Sequence, residues 1–242
     1  MAITDTPTRI PRPPAWRRFL PLALLAAGLA AFFALGLQDA LSLSSLARHR
    51  EALLAFVAAN EALAVAGYIV AYALAVAFSV PGATVLTLTG GFLFGTAFGT
   101  VWAVIGATSG AVAVFLAART ALGDGWRQRA APWLQRFEEG FRRDAFNYML
   151  VLRLVPLFPF WLVNLVPALL GVPLRAYTLA TLIGIIPGGF VYASVGNGLG
   201  TVLAAGRTPD LSMIATPEVL LPLLGLAALA LVPVVWRRFR KE

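Results

Sequence analysis

Apolar residues run without a charge from Leu20 to Leu37, behind a stretch that carries Arg9, Arg12, Arg17 and Arg18. Such a run, eighteen residues long, suffices to cross a hydrocarbon core of about 30 Å as a helix, and its basic flank predicts an uncleaved anchor. From Ala40 to Asn60 the pattern changes. Leu43, Leu46, Leu53, Leu54 and Val57 recur at helical spacing with Arg48, His49, Arg50 and Glu51 between them, which predicts an interfacial amphipathic helix. Ala62 to Val80 is apolar, is interrupted at Pro81-Gly82, and resumes as an uncharged run from Ala83 to Ala118, too long for one span. Arg119 to Phe146 holds six arginines against four acids, and Trp133, Phe137, Phe141 and Ala145 recur every four residues after Pro132. That segment predicts a basic amphipathic helix on a membrane face, with Arg136, Arg142 and Arg143 on anionic headgroups. Asn147 to Leu170 is apolar but contains Arg153, Pro156, Pro159, Asn164 and Pro167, a pattern that predicts a broken or re-entrant helix. Leu174 to Val195 reads as a span, Gly196 to Thr216 as a polar connection and Pro217 to Trp236 as the last span.

Composition agrees with that pattern. The chain of 242 residues is 60% hydrophobic and 12% charged, about half the charge of a soluble domain, and its mean hydropathy is +0.82. Absence of cysteine excludes disulfides, thiolate nucleophiles and Cys-based metal centres. The single histidine, His49, cannot form a cluster, and no Ser/His or paired-carboxylate arrangement falls inside the apolar segments. No enzyme, metal or cofactor is expected. The net charge of +8 records membrane orientation rather than nucleic-acid binding.

Positive residues collect in cytoplasmic connections, which tests the topology. If Ala62 to Val80 crosses fully, Ala83 to Gly95 is re-entrant and Thr96 to Ala118 crosses, most basic residues fall outside. If instead Ala62 to Gly95 is a hairpin entering from outside and turning near Pro81-Gly82, and Asn147 to Leu170 is a second hairpin entering from inside, fifteen basic residues lie inside and three outside. Arg153 then remains within the membrane. Six plain spans, with Ala83 to Ala118 split in two, satisfy the same count but need a turn made of Gly, Thr and Phe. The expected fold is therefore an all-α polytopic membrane protein with about four full transmembrane helices and two opposed re-entrant hairpins. Pro81 and Pro159, each followed by a glycine and then by Ile105-Gly106 or Ile183-Gly184, hint at an inverted repeat. Three regions follow: 1–61 with tail, anchor and interfacial helix; 62–200 as the membrane core; and 201–242 with polar loop, last span and basic tail. Both termini are expected in the cytoplasm.

The stretches Pro81-Gly-Ala-Thr-Val-Leu-Thr-Leu-Thr-Gly-Gly-Phe-Leu-Phe-Gly95, Leu152-Arg-Leu-Val-Pro-Leu-Phe-Pro-Phe-Trp-Leu-Val-Asn164 and Leu182-Ile-Gly-Ile-Ile-Pro-Gly-Gly-Phe190 resemble the VTT-domain proteins of the DedA superfamily, and more specifically its SNARE-associated Golgi protein branch. The resemblance spans roughly Ala62 to Gly200. It implies two opposed re-entrant hairpins and movement of phospholipids or polyprenyl phosphates between leaflets, supporting membrane homeostasis, coupled to protons in some members. DedA proteins proper carry an acidic residue after the proline-glycine turn of the first hairpin, whereas Ala62 to Ala118 holds no Asp or Glu. Glu61, at the hairpin mouth, is the nearest carboxylate, so passive equilibration of a lipid fits better than proton-driven pumping.

Arg153 carries the strongest site signal, because a charge within a membrane segment costs about 2.5 to 3.5 kcal/mol on insertion scales and normally faces a partner or a wet cavity. Its guanidinium suits a lipid phosphate, and breaks at Pro156 and Pro159 would add a half-helix N-terminus that attracts anions. The competing readings are snorkelling to the headgroups or pairing with Asp144. Pro81, Gly82, Gly90, Gly91, Gly95, Gly184 and Pro187 are expected to shape the walls of a groove, with close helix packing as their plainer role. Asn164 and Asn197 either line that groove or cap broken helices. Scrambling of phospholipid or polyprenyl phosphate is the leading functional expectation; a proton- or ion-coupled carrier for a small solute and a non-transporting scaffold are the alternatives. Membrane lipids are the expected partners. The Ala- and Arg-rich, Lys-poor composition points to a bacterial cytoplasmic membrane.

Overall fold

The computed structural model describes residues 16–39, 41–127, 144–154 and 160–204, which are predominantly helical, with no strand among the described residues. The expected last span, its basic tail, Pro156, Pro159, Arg136, Arg142 and Arg143 lie outside the described residues. The helices are α1 (Trp16–Ala34), α2 (Leu43–Arg48), α3 (Arg50–Ala59), α4 (Glu61–Ala77), α5 (Ala83–Arg127), α6 (residues 144–154), α7 (Phe160–Leu169), α8 (Leu174–Gly184) and α9 (Ile186–Ala204). By length and composition, the helical stretches Ala83–Ala121 and Leu174–Gly200 are apolar enough to cross a membrane, the first folding back at Gly95 and the second interrupted at Ile185. Large apolar side chains face outward from these and from shorter helices: Leu24, Leu63, Val70, Phe98, Leu179 and Phe190 are each more than half exposed. Outward apolar faces on this scale suit a hydrocarbon surrounding, since water disfavours large apolar patches.

Three boundaries differ from the sequence expectation. The interfacial segment is two helices, because Ser42 caps α2 through its hydroxyl and the chain bends at His49 before α3. The basic segment does not begin a separate helix at Arg119, since α5 continues to Arg127. Nor does Gly196 open a polar connection: α9 runs on to Ala204, with Gly196 set against Leu88 and Gly200 against Phe92 of α5 rather than in a loop.

The core of the fold is set by how α4 and α5 fold back. The chain leaves α4 through a turn in which Val80 N–H reaches the Ala75 carbonyl at 2.8 Å and Ser79 sits at φ +55°. Returning along α4, the first part of α5 places the Leu86 carbonyl 2.9 Å from the Tyr68 hydroxyl and the Ala83 carbonyl 3.2 Å from that of Tyr72, an antiparallel register. At Gly95, φ is +74°, a conformation that glycine adopts without steric cost, and the chain reverses again. Gly90 and Gly99 then touch backbone to backbone, whereas an unbroken helix would hold them about 13.5 Å apart. So α5 is two arms, residues 83–94 and 96–127. The second runs parallel to α4, with Gly106 against Ile69 and Tyr72 and Gly110 against Ala73 and Val76. The turn of Gly, Thr and Phe that six plain spans require is thus present at Gly95.

α9 crosses the first arm at backbone contact. A Cβ on Gly91 would overlap the Ala193 carbonyl, and one on Gly196 would overlap that of Leu88. Such small-residue crossings let dispersion and backbone contact do what water exclusion cannot do in lipid. Gly91→Val and Gly196→Val should each lower the thermal midpoint of the purified protein by several degrees, as overpacking costs about 1–3 kcal/mol. Gly67→Ala, whose added methyl meets open space, should leave the midpoint unchanged or raise it.

Candidate functional site

The guanidinium of Arg153 is the hub of the second half of the chain. Asp144 starts α6 by accepting from the Asn147 N–H at 3.2 Å, and Arg153 lies near the other end of that helix. Its Cβ packs directly on Gly184, where any side chain would collide at 2.6 Å, so α6 meets α8 closely at this point. From there Nε donates to Thr181 Oγ1 at 3.1 Å, and Nη2 donates to Asn164 Oδ1 at 2.8 Å and to the Tyr177 hydroxyl at 2.9 Å. Tyr177 in turn has the Ala111 carbonyl at 3.2 Å and Asn164 Oδ1 at 3.1 Å. A phenol has one proton, so it accepts from Arg153 and gives its own proton to one of those two oxygens. The Tyr177 ring stacks on Phe115 at 4.4 Å between centroids and lies 5.3 Å from the Arg153 guanidinium carbon. Asn164, Tyr177 and Thr181 are essentially fully buried. One side chain of α6 is therefore fastened to α7 and α8 and, through Tyr177, to the second arm of α5.

The first hairpin repeats this arrangement without the charge. Tyr72 of α4 packs its Cβ on Gly106 of the crossing arm, as Arg153 packs on Gly184. Its hydroxyl meets Thr87 Oγ1 of the returning arm at 2.8 Å, as the Arg153 fork meets Asn164 of α7. Thr87 also donates to the Ala83 carbonyl at 2.9 Å. Between this hairpin and α6, α8 and α9 lies a cavity of about 240 Å³ whose wall includes Tyr72, Thr87, Arg153, Thr181, Gly184 and Pro187.

The residues singled out from sequence divide accordingly. Arg153, Gly184 and Pro187 line the cavity, and Asn164 orients Arg153 from inside α7 rather than lining the groove or capping a helix. Asp144 is bonded to Asn147, and the Arg153 fork turns inward to Asn164, Tyr177 and Thr181 in place of the Asp144 pairing or snorkelling. Gly90 and Gly91 are packing positions, Gly82 and Gly95 serve turns at positive φ, and Pro81 is exposed at the first turn. Asn197 and Glu61 are exposed. Sequence reasoning passed over Tyr72, Thr87, Tyr177 and Thr181. A signal existed: Tyr68 with Tyr72, and Tyr177 with Thr181, are hydroxyl pairs one helical turn apart in apolar helices.

With this geometry in place, comparison with known proteins is informative. Residues 80–198 match the VTT domain family, a stretch that includes both crossing glycines, Arg153, Asn164 and Tyr177. The chain belongs to the DedA/VTT superfamily. A Transmembrane protein 41 homolog of Drosophila melanogaster is 31% identical over 137 residues, which is 55% of this chain and 42% of that protein. The Caenorhabditis elegans homolog is 28% identical over 187 residues, covering 76% of this chain and 73% of its own. Transmembrane protein 41B of Mus musculus is 25% identical over 179 residues, 72% of this chain and 59% of that protein. The match to the fly and mouse proteins thus spans less than two thirds of their length. No solved structure matches the chain. These relatives are named as transmembrane proteins, and this VTT-domain protein is likewise a membrane protein.

The hub makes a stability prediction for this VTT-domain protein. Asn164→Ala should destabilise it by about 1–3 kcal/mol, the cost of leaving a buried donor without its acceptor, whereas Ser109→Ala, at an exposed position whose hydroxyl bonds only its own helix, should be close to silent. Thermal unfolding in one detergent, compared across the two variants and wild type, checks this.

Proposed function

We propose that this protein lets phosphate-bearing lipids pass between the two leaflets, the headgroup crossing in the cavity between its hairpins while the acyl tails remain in hydrocarbon. The observation that carries this reading is Arg153, oriented by Asn164, Tyr177 and Thr181 at the cavity wall, deep within apolar helices. A planar guanidinium with several donors in a fixed fork recognises phosphate by geometry as well as charge. Dragging a phosphate through bare hydrocarbon is prohibitive for the same reason that an isolated buried charge is, and a fixed cation at mid-depth lowers that barrier.

Both hairpins are re-entrant in this reading. The arm of residues 83–94 spans only about 18 Å and α7 about 15 Å, well short of the roughly 30 Å core. The last packed pair along the first hairpin, Val76 on Gly110, lies nine residues, about 13.5 Å, before Arg119, which ends the apolar run of α5. Arg153 packs at Gly184, ten residues into the apolar stretch from Leu174 to Gly200. In this reading the two short arms enter the bilayer from opposite sides, as an inverted repeat with four full crossings and both termini in the cytoplasm of a bacterial cell. The matched pairs Tyr72–Gly106 and Arg153–Gly184 support the same repeat. Glu61, the carboxylate nearest the first hairpin, is exposed at the start of α4 rather than in the cavity, which favours equilibration over proton-coupled transport.

Reconstitution into liposomes with acyl-labelled phospholipid, read by an impermeant quencher, tests the proposal. Wild type should expose inner-leaflet label faster than protein-free vesicles. Arg153→Ala should slow exchange about tenfold or more, in keeping with about 1.5–3 kcal/mol for a hydrogen bond to a charged group, and Arg153→Lys should fall between. Exchange by a folded Arg153→Ala protein at the wild-type rate contradicts the proposal.

A further inference from the structure

The two walls of the cavity differ in hydrogen-bonding character. On one side Arg153 is a pure donor, because a guanidinium has no acceptor. On the other side, Tyr72 and Thr87 each own one hydroxyl proton. Thr87 donates to the Ala83 carbonyl at 2.9 Å, and the Tyr72 hydroxyl has Thr87 Oγ1 at 2.8 Å and the same Ala83 carbonyl at 3.2 Å. Both protons are consumed within this cluster whichever of its bonds Tyr72 makes. What remains for the cavity is oxygen lone pairs. Both residues line the cavity, and both are only 5% exposed, so bulk water does not compete freely for them. Ala103, Val104 and Ala107 complete this side with apolar surface.

We infer that Tyr72 and Thr87 select the headgroup: the site takes a phosphodiester lipid whose headgroup beyond the phosphate carries N–H or O–H donors, with its phosphate at Arg153 and those donors on the Tyr72–Thr87 oxygens. The inference rests on the lipid-translocation reading and adds a specificity that the Arg153 site alone does not have. Ethanolamine, serine and glycerol headgroups fit the description. A choline headgroup has the same phosphate and the same net charge as ethanolamine, but methyl groups stand where the N–H donors would be. It leaves the acceptor wall unsatisfied, and a buried polar site left unpaired discriminates more sharply than a missing apolar contact.

The experiment is leaflet exchange by the full chain in liposomes, with phosphatidylethanolamine and phosphatidylcholine both labelled on the acyl chain so that the headgroups stay native. Wild type should move the ethanolamine lipid about fivefold to tenfold faster, the factor that one hydrogen bond of about 1–1.4 kcal/mol provides. Tyr72→Phe, which keeps the ring on Gly106, and Thr87→Val, which keeps the shape, should each bring the ratio of the two rates toward one. Soluble dihexanoyl lipids give a second readout: dihexanoyl phosphatidylethanolamine should raise the wild-type thermal midpoint more than its choline counterpart, and Tyr72→Phe should remove the difference. Equal wild-type rates, or faster movement of the choline lipid, overturn the inference while leaving the Arg153 reading intact. A ratio unchanged in both variants overturns the assignment to Tyr72 and Thr87. Failure of wild type to move either lipid overturns the translocation reading and this inference with it.

Discussion

A guanidinium among apolar helices has to be hydrogen-bonded where it sits, and Arg153 satisfies that requirement with partners drawn from different segments of the chain. Thr181 and Tyr177 come from α8, Asn164 comes from α7, and Tyr177 extends the network to the carbonyl of Ala111 in α5. No neighbouring pair of these helices would need to be in register for dispersion alone, because a lipid tail is as good an apolar neighbour as a leucine. The polar cluster supplies the register instead. It fixes α6 against α8 at Gly184, draws α7 back beside α6, and stacks Tyr177 on Phe115 within the main core.

The first half of the chain solves the same geometric problem with cheaper chemistry. Tyr72 takes the place of Arg153, Gly106 that of Gly184, and Thr87 that of Asn164. A neutral hydroxyl pair needs no charge compensation, and its protons are absorbed by the returning arm itself. The two halves meet around one cavity with complementary walls, one donating and cationic, the other accepting and neutral. That asymmetry gives the site a polarity of its own.

Much of this was visible in the residues. A charge inside an apolar run is conspicuous by its cost, so Arg153 stood out, and with it the prolines and Asn164 in the same run. The division into two interrupted segments followed from Pro81-Gly82 and from the distribution of arginines. Three things were not visible. Tyr177, Thr181, Tyr72 and Thr87 barely disturb an average of hydropathy, since a tyrosine or threonine is tolerated in apolar helices, and only the one-turn spacing of Tyr68 with Tyr72 and of Tyr177 with Thr181 marks any of them. The role of Asn164 depends on which helix returns beside α6, a tertiary fact. The ends of α5 and α9 were set short because a run of arginines, or of glycine with polar residues, reads as a boundary, while backbone crossing partners such as Leu88 over Gly196 hold the helix going.

The account stands on a phosphate meeting Arg153 inside the membrane. A structure of the protein in phospholipid nanodiscs tests that directly. The account predicts headgroup density in the cavity with phosphate oxygens about 2.7–2.9 Å from the Arg153 guanidinium nitrogens, the separation of a charge-assisted hydrogen bond. A cavity filled by an acyl chain, with every headgroup at the bilayer surfaces and the Arg153 fork enclosed by protein alone, would contradict it.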